Sequence, residues 1–135
     1  MAEGFLRALA GDRLIPFSAG TEAEGVSPLA AEVMREAGID ISTQKPREVA
    51  SLFRETFYYV VALCDDSRER YPLFPFTPNL LRWSVSDPEV ATGEPEARKQ
   101  AFRQARDQIK IMVEEFIETT NRPDSVFAKA HAAAA

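Results

Sequence analysis

The sequence predicts an α/β domain built on a parallel sheet. Three observations carry that prediction. Apolar, β-branched segments alternate with segments of helical periodicity, which is the pattern of βαβ units. Residues 57–64, Phe-Tyr-Tyr-Val-Val-Ala-Leu-Cys, are apolar almost without a break, as a strand buried on both faces would be. The 135 residues, 45% of them hydrophobic, suffice for one domain around one core.

The elements follow in chain order. Residues 1–10 read as a short amphipathic helix, with Phe5, Leu6 and Leu9 at helical spacing and Gly11-Asp12 ending it. No Ser, Thr, Asp or Asn caps its front and no strand precedes it, so the helix end that would attract an anion stands at Met1. Glu3 and Arg7, four apart, form an intrahelical pair. Leu14-Ile15-Pro16-Phe17-Ser18 is a strand, placed at an edge or other donor-free position by its proline. After a small-residue loop, Ser27 caps and Pro28 opens a helix with Leu29, Ala30, Val33, Met34 and Ala37 on its apolar side, closed by Gly38. Ile39 to Ser42 is an extended link. A short helix starts at Pro46 and buries Leu52 and Phe53.

The strand at 57–64 ends in Asp65-Asp66-Ser67, followed by a helical turn, Arg68 to Tyr71, and a loop broken by Pro72, Pro75 and Pro78. Leu80 to Val85 is a third strand, followed by Ser86-Asp87-Pro88. Glu94 to Ile117 is the longest helix, with Phe102, Ala105, Ile109, Met112, Val113 and Phe116 on one stripe. Beyond Glu118 the pattern dissolves into a tail. Parallel strands bring their carboxyl ends to one edge, where α/β sites sit. That edge would collect Ser18-Ala19-Gly20, Cys64-Asp65-Asp66 and Ser86-Asp87-Pro88.

Composition excludes several classes of function. A net charge of -5 with no basic run argues against nucleic acid. The longest apolar run is too short to span a bilayer, and no signal-peptide pattern opens the chain. A single cysteine excludes an internal disulfide framework and fits a cytoplasmic setting; with a single histidine, His131 in the tail, paired-cysteine metal sites and a Ser-His-Asp triad lack material.

Candidate chemistry lies at the predicted edge. Asp87, held before Pro88, is placed to act as a general acid, although Asp-Pro is also a common turn dipeptide. Cys64 reads as a reactive thiol or as a small buried hydrophobe. Asp65 and Asp66 beside it would raise a thiol pKa and favour the second reading. Arg68, Arg70 and Arg82 could bind an oxyanion or be solvated surface charges. These residues alone name no reaction.

The wording of the sequence adds information. Met-Ala-Glu-Gly-Phe at 1–5, Phe-Ser-Ala-Gly-Thr at 17–21, Gly-Ile-Asp-Ile-Ser at 38–42, Leu-Cys-Asp-Asp at 63–66, Arg82-Trp83 with Asp87-Pro88, and Phe-Arg-Gln-Ala-Arg-Asp-Gln-Ile at 102–109 occur in that order. Together they resemble the low-molecular-weight protein-tyrosine-phosphatase superfamily, and its arsenate reductase branch in particular, from residue 1 to about 117. The resemblance implies a flavodoxin-like, three-layer fold with helices on both faces of the sheet. It also implies a C-x-x-x-x-x-R-[ST] loop between the first strand and first helix, whose backbone donors wrap phosphate or arsenate and whose cysteine attacks as a thiolate. In the family that loop runs almost directly into the counterpart of Met1-Ala2-Glu3-Gly4. The expectation is therefore that the first, central strand and the nucleophile loop are absent from this chain, by truncation, by an internal start or as a natural remnant. The string CDDSRER at 64–70 matches the loop's spacing but carries Asp65, Asp66 and Glu69 and no glycine, so it would repel an oxyanion and is a chance match.

By the same resemblance Asp87 matches the general acid that protonates the leaving oxygen, and Cys64 matches the resolving thiol of thioredoxin-coupled reductases. Tyr71 stands where a third thiol would be, so the relay lacks both ends. The domain reads as residues 1–118, incomplete at its front, with 119–135 as a C-terminal tail. Its expected partners are an arsenate or phosphate oxyanion and, in a full-length form, thioredoxin or another thiol reductant. No cofactor, nucleic acid or membrane is expected. The chain as given is predicted inactive; the alternative is a non-catalytic binding or regulatory module that keeps the fold. An electron carrier of flavodoxin type is disfavoured by the lack of a phosphate loop and of aromatic flavin contacts. Without a central strand between 14–18 and 57–64, two strand edges lack partners. The chain is then expected to be destabilised, to self-associate, or to pair those strands directly.

Overall fold

The first helix forms where the apolar spacing places it: α1 spans Ala2–Ala10 and no side chain caps it. Its buried face is Glu3, Gly4, Phe5 and Ala10, with Phe5 2% exposed. The computed structural model describes residues 1–64 and 79–121. Gly4 is where α1 meets the 39–41 segment. A Cβ there would stand 2.6 Å from the Ile41 Cγ2 methyl, so glycine is what lets the Ile41 side chain pack against the α1 backbone.

The predicted strand at 14–18 does not form. The Leu14 amide donates back to the Ala10 carbonyl at 2.8 Å. Pro16 has no amide hydrogen, and its carbonyl accepts from the Arg7 guanidinium at 3.2 Å. With those groups committed to α1, pairing is confined to one parallel bridge further on, Gly20 to Glu48. There the Gly20 amide donates to the Arg47 carbonyl at 3.0 Å and the Val49 amide to the Gly20 carbonyl at 2.8 Å.

Helix α2 covers Pro28–Glu36. Ser27 occupies the cap position as expected, but its hydroxyl makes no capping bond. The other end closes by hydrogen bonding: the Gly38 amide donates to the Arg35 carbonyl at 2.9 Å and the Ile39 amide to the Met34 carbonyl at 3.0 Å. That pattern needs a left-handed residue, and Gly38 has φ +79. The 39–42 link then turns, with Asp40 accepting from the Ser42 amide at 2.9 Å. The helix expected from Pro46 shrinks to a 3-10 turn, Val49–Leu52, with none of its residues buried. Phe53, expected inside, is 40% exposed. A single turn presents too little surface to bury an apolar side.

The sheet of the described residues has two parallel strands, β1 (Tyr59–Cys64) and β2 (Asn79–Ser84), in register from Tyr59 opposite Asn79 to Cys64 opposite Ser84. Parallel pairing agrees with the sequence prediction. Burial on both faces of β1 does not: residues 59–62 are half-buried and Leu63 is 40% exposed. The described packing on this sheet comes from α3 through Phe116, whose ring meets those of Tyr59 and Trp83 edge-on at 5.0 and 6.0 Å. The direct pairing of 14–18 with 57–64 is also absent from the sheet; the two segments meet instead through the rings of Phe17 and Phe57, 5.8 Å apart. The expected turn at 68–71, the proline loop and the tail from residue 122 lie outside the described residues.

Helix α3 runs Pro95–Asn121, four residues beyond the expected end at Ile117, and Thr120 in that last turn is buried. The core lies where α1, α2 and α3 converge, around Phe5, Val33, Met34, Ile41, Phe102 and Val113. Outside it, Glu36 of α2 accepts two bonds from Arg103 of α3, both at 2.9 Å, and pairs with Lys99 and Arg106 at 3.2 Å. This carboxylate pins the two helices together.

Candidate functional site

The front of α1 opens on a cavity of about 390 Å3. Met1, which precedes the helix, lines it together with Ser18, Gly20, Thr21, Lys45 and Arg47. Local chemistry explains how these segments come together. The Gly20–Glu48 bridge fixes the 18–21 stretch against 45–48, and the Arg47 guanidinium lies 5.1 Å from the centre of the Phe17 ring. A helix N-terminus with two cations nearby favours an anion. Glu22 and Glu24 on the same lining offset part of that charge.

Behind the cavity sits a buried carboxylate. Glu3 is 7% exposed and accepts from the Ser18 hydroxyl and, at 2.7 Å, from Arg7. Burial works to raise the Glu3 pKa. The bonds from Ser18 and Arg7 and the charges of Arg7 and Arg47 outweigh it, and the pKa falls below the ordinary glutamate value. The sequence pattern finds the Glu3–Arg7 pair but not the tie to Ser18, which has no local spacing to reveal it. Nor does helical periodicity mark Glu3 as buried.

Parallel register places two of the sequence-derived candidates at one end of the sheet. Cys64 is the last residue of β1, opposite Ser84, and Asp87 follows β2 by three residues. Asp87 is exposed, and its Oδ1 accepts from the Glu89 amide at 2.9 Å, which caps the 3-10 turn Pro88–Val90. It does not line the cavity. Gln108 of α3 steadies this corner by donating to the Ser84 carbonyl at 3.0 Å, a contact the sequence reading missed because it joins residues 24 apart. Arg82 is exposed on β2. The side chain of Cys64, together with Arg68, Arg70, Tyr71 and His131, lies outside the described residues. Among the described residues no cluster of His, Cys, Asp or Glu could hold a metal ion, and no helix is long and apolar enough to cross a membrane.

Comparison with known proteins bears on what this geometry serves. A family model described as low molecular weight phosphotyrosine protein phosphatase matches residues 1–126. Arsenate reductases of Shouchella clausii and Bacillus subtilis are each 37% identical over 119 residues, 88% of this chain and 86% of theirs. Among solved structures, an arsenate reductase in its oxidized state superposes with TM-score 0.73 at 29% identity, covering 87% of this chain and 86% of that one. An arsenate reductase in the phosphate binding state gives TM-score 0.71 at 28% identity over the same shares.

Proposed function

The chain belongs to the low molecular weight phosphotyrosine protein phosphatase family, in its arsenate reductase branch with a flavodoxin-like α/β fold, and on that premise we propose that it is a domain for an arsenate or phosphate oxyanion. The observation that carries the proposal is the cavity at the front of α1, where Ser18, Gly20, Lys45 and Arg47 gather. One of the solved relatives is an arsenate reductase in a phosphate binding state, which supports the choice of ligand. The oxyanion sits against the N-terminal end of α1, the helix macrodipole favouring its charge.

In this proposal Asp87 is the general acid and the nucleophile is a cysteine that this sequence does not contain. Its one cysteine, Cys64, lies in an acidic stretch that disfavours a thiolate and is at most a resolving thiol. Thioredoxin or another thiol reductant would serve arsenate reduction. The setting is cytoplasmic, the domain spans residues 1–118, and 119–135 form a tail into which the last turn of α3 extends. A binding or regulatory module that keeps the fold is the second reading. It is favoured by one observation, the Asp87 carboxylate already capping its own turn.

The test is an assay of the 135-residue chain for aryl phosphate hydrolysis and thioredoxin-linked arsenate reduction. No turnover is expected. Turnover that survives Cys64→Ser would put the chemistry elsewhere, and turnover abolished by it would make Cys64 the nucleophile. Either result overturns the proposal.

A further inference from the structure

We draw no further inference here: the strongest candidate, the apolar surface of Ile15 and Phe17 on the segment between α1 and the cavity, 83% and 48% exposed, carries nothing because nothing in the structure shows what covers it.

Discussion

The Ser18 hydroxyl donates to the buried carboxylate of Glu3, fifteen residues earlier in the chain, and so anchors the 14–18 segment to α1. Arg7 reinforces the same anchor, since one Nη2 reaches both Glu3 at 2.7 Å and the Pro16 carbonyl at 3.2 Å. Glu3→Gln keeps the shape but removes the charge that two donors face. Hydrogen bonds to charged groups contribute about 1.5–3 kcal/mol. Because the Arg7 side chain is 58% exposed and can turn to water, the loss should fall at the lower end of that range. A urea denaturation midpoint lowered with an unchanged slope is the expected result. The wild-type carboxylate has a depressed pKa, so its contribution is present above 4.5 and is lost as pH falls through the lower folded value. Stability of the glutamine variant should therefore depend less on pH in that acidic window.

Gly4→Ala tests how closely α1 packs on the 39–41 segment. The added methyl would meet Ile41 Cγ2 at 2.6 Å, and Ile41 is itself 1% exposed, so it has little room to retreat. Helix propensity alone would reward the change by up to about 1 kcal/mol. Overpacking typically costs about 1–3 kcal/mol, and we expect it to win. Thermal unfolding should show a lower Tm for Gly4→Ala, and because Ile41→Ala removes the Cγ2 methyl, the double variant should lose less than the sum of the two single losses.

What the sequence made legible was what local pattern controls. The helical stripe of 102–116 and the Gly38 closure of α2 both depend on neighbours within two turns, and the structure has both. The parallel pairing at 59–64 followed from strands alternating with helices, although the burial expected on both faces of β1 did not. The strand predicted at 14–18 failed because β propensity cannot show where ladder groups go. Leu14 and Pro16 give theirs to Ala10 and Arg7 of the preceding helix. The candidate site divided along the same line. The place of Asp87 after a strand was readable, although Asp87 does not line the cavity, whereas the Glu3–Ser18 contact and the Lys45–Arg47 wall of the cavity arise from tertiary packing that no spacing encodes.

Acid should loosen the seam between α2 and α3 in a defined window. Hydrogen bonds from Arg103, then from Lys99, with the charges of both, bring the Glu36 pKa from 4.5 down to about 2 against the opposing effect of burial. A depressed carboxyl contributes stability above its unfolded pKa and loses it as pH falls through the folded value. The contribution of Glu36 is therefore full above pH 4.5 and declines toward pH 2. Glu36→Gln should flatten the stability profile across that interval while leaving the protein folded at neutral pH. Urea midpoints measured at several pH values for both proteins check it, and an unchanged acid slope would exclude Glu36 as its source.

Asp87→Asn separates the two roles open to that carboxylate. Its Oδ1 accepts from the Glu89 amide at 2.9 Å, and asparagine caps about as well as aspartate, so stability should change by no more than a few tenths of a kcal/mol. As a general acid, asparagine has no proton to give at the leaving oxygen, and such catalysis contributes about 10²–10⁴ in rate. The readout needs a nucleophile. We therefore place the measurement in a longer form carrying a C-x-x-x-x-x-R-[ST] loop directly ahead of Met1, where the unmodified longer form is expected to hydrolyse an aryl phosphate. There, Asp87→Asn should lower kcat by that factor with little change in Tm. Cys64→Ser should leave hydrolysis intact, because no step of it requires a second thiol. If Asp87→Asn instead leaves kcat unchanged, the carboxylate is a turn cap and the acid lies elsewhere.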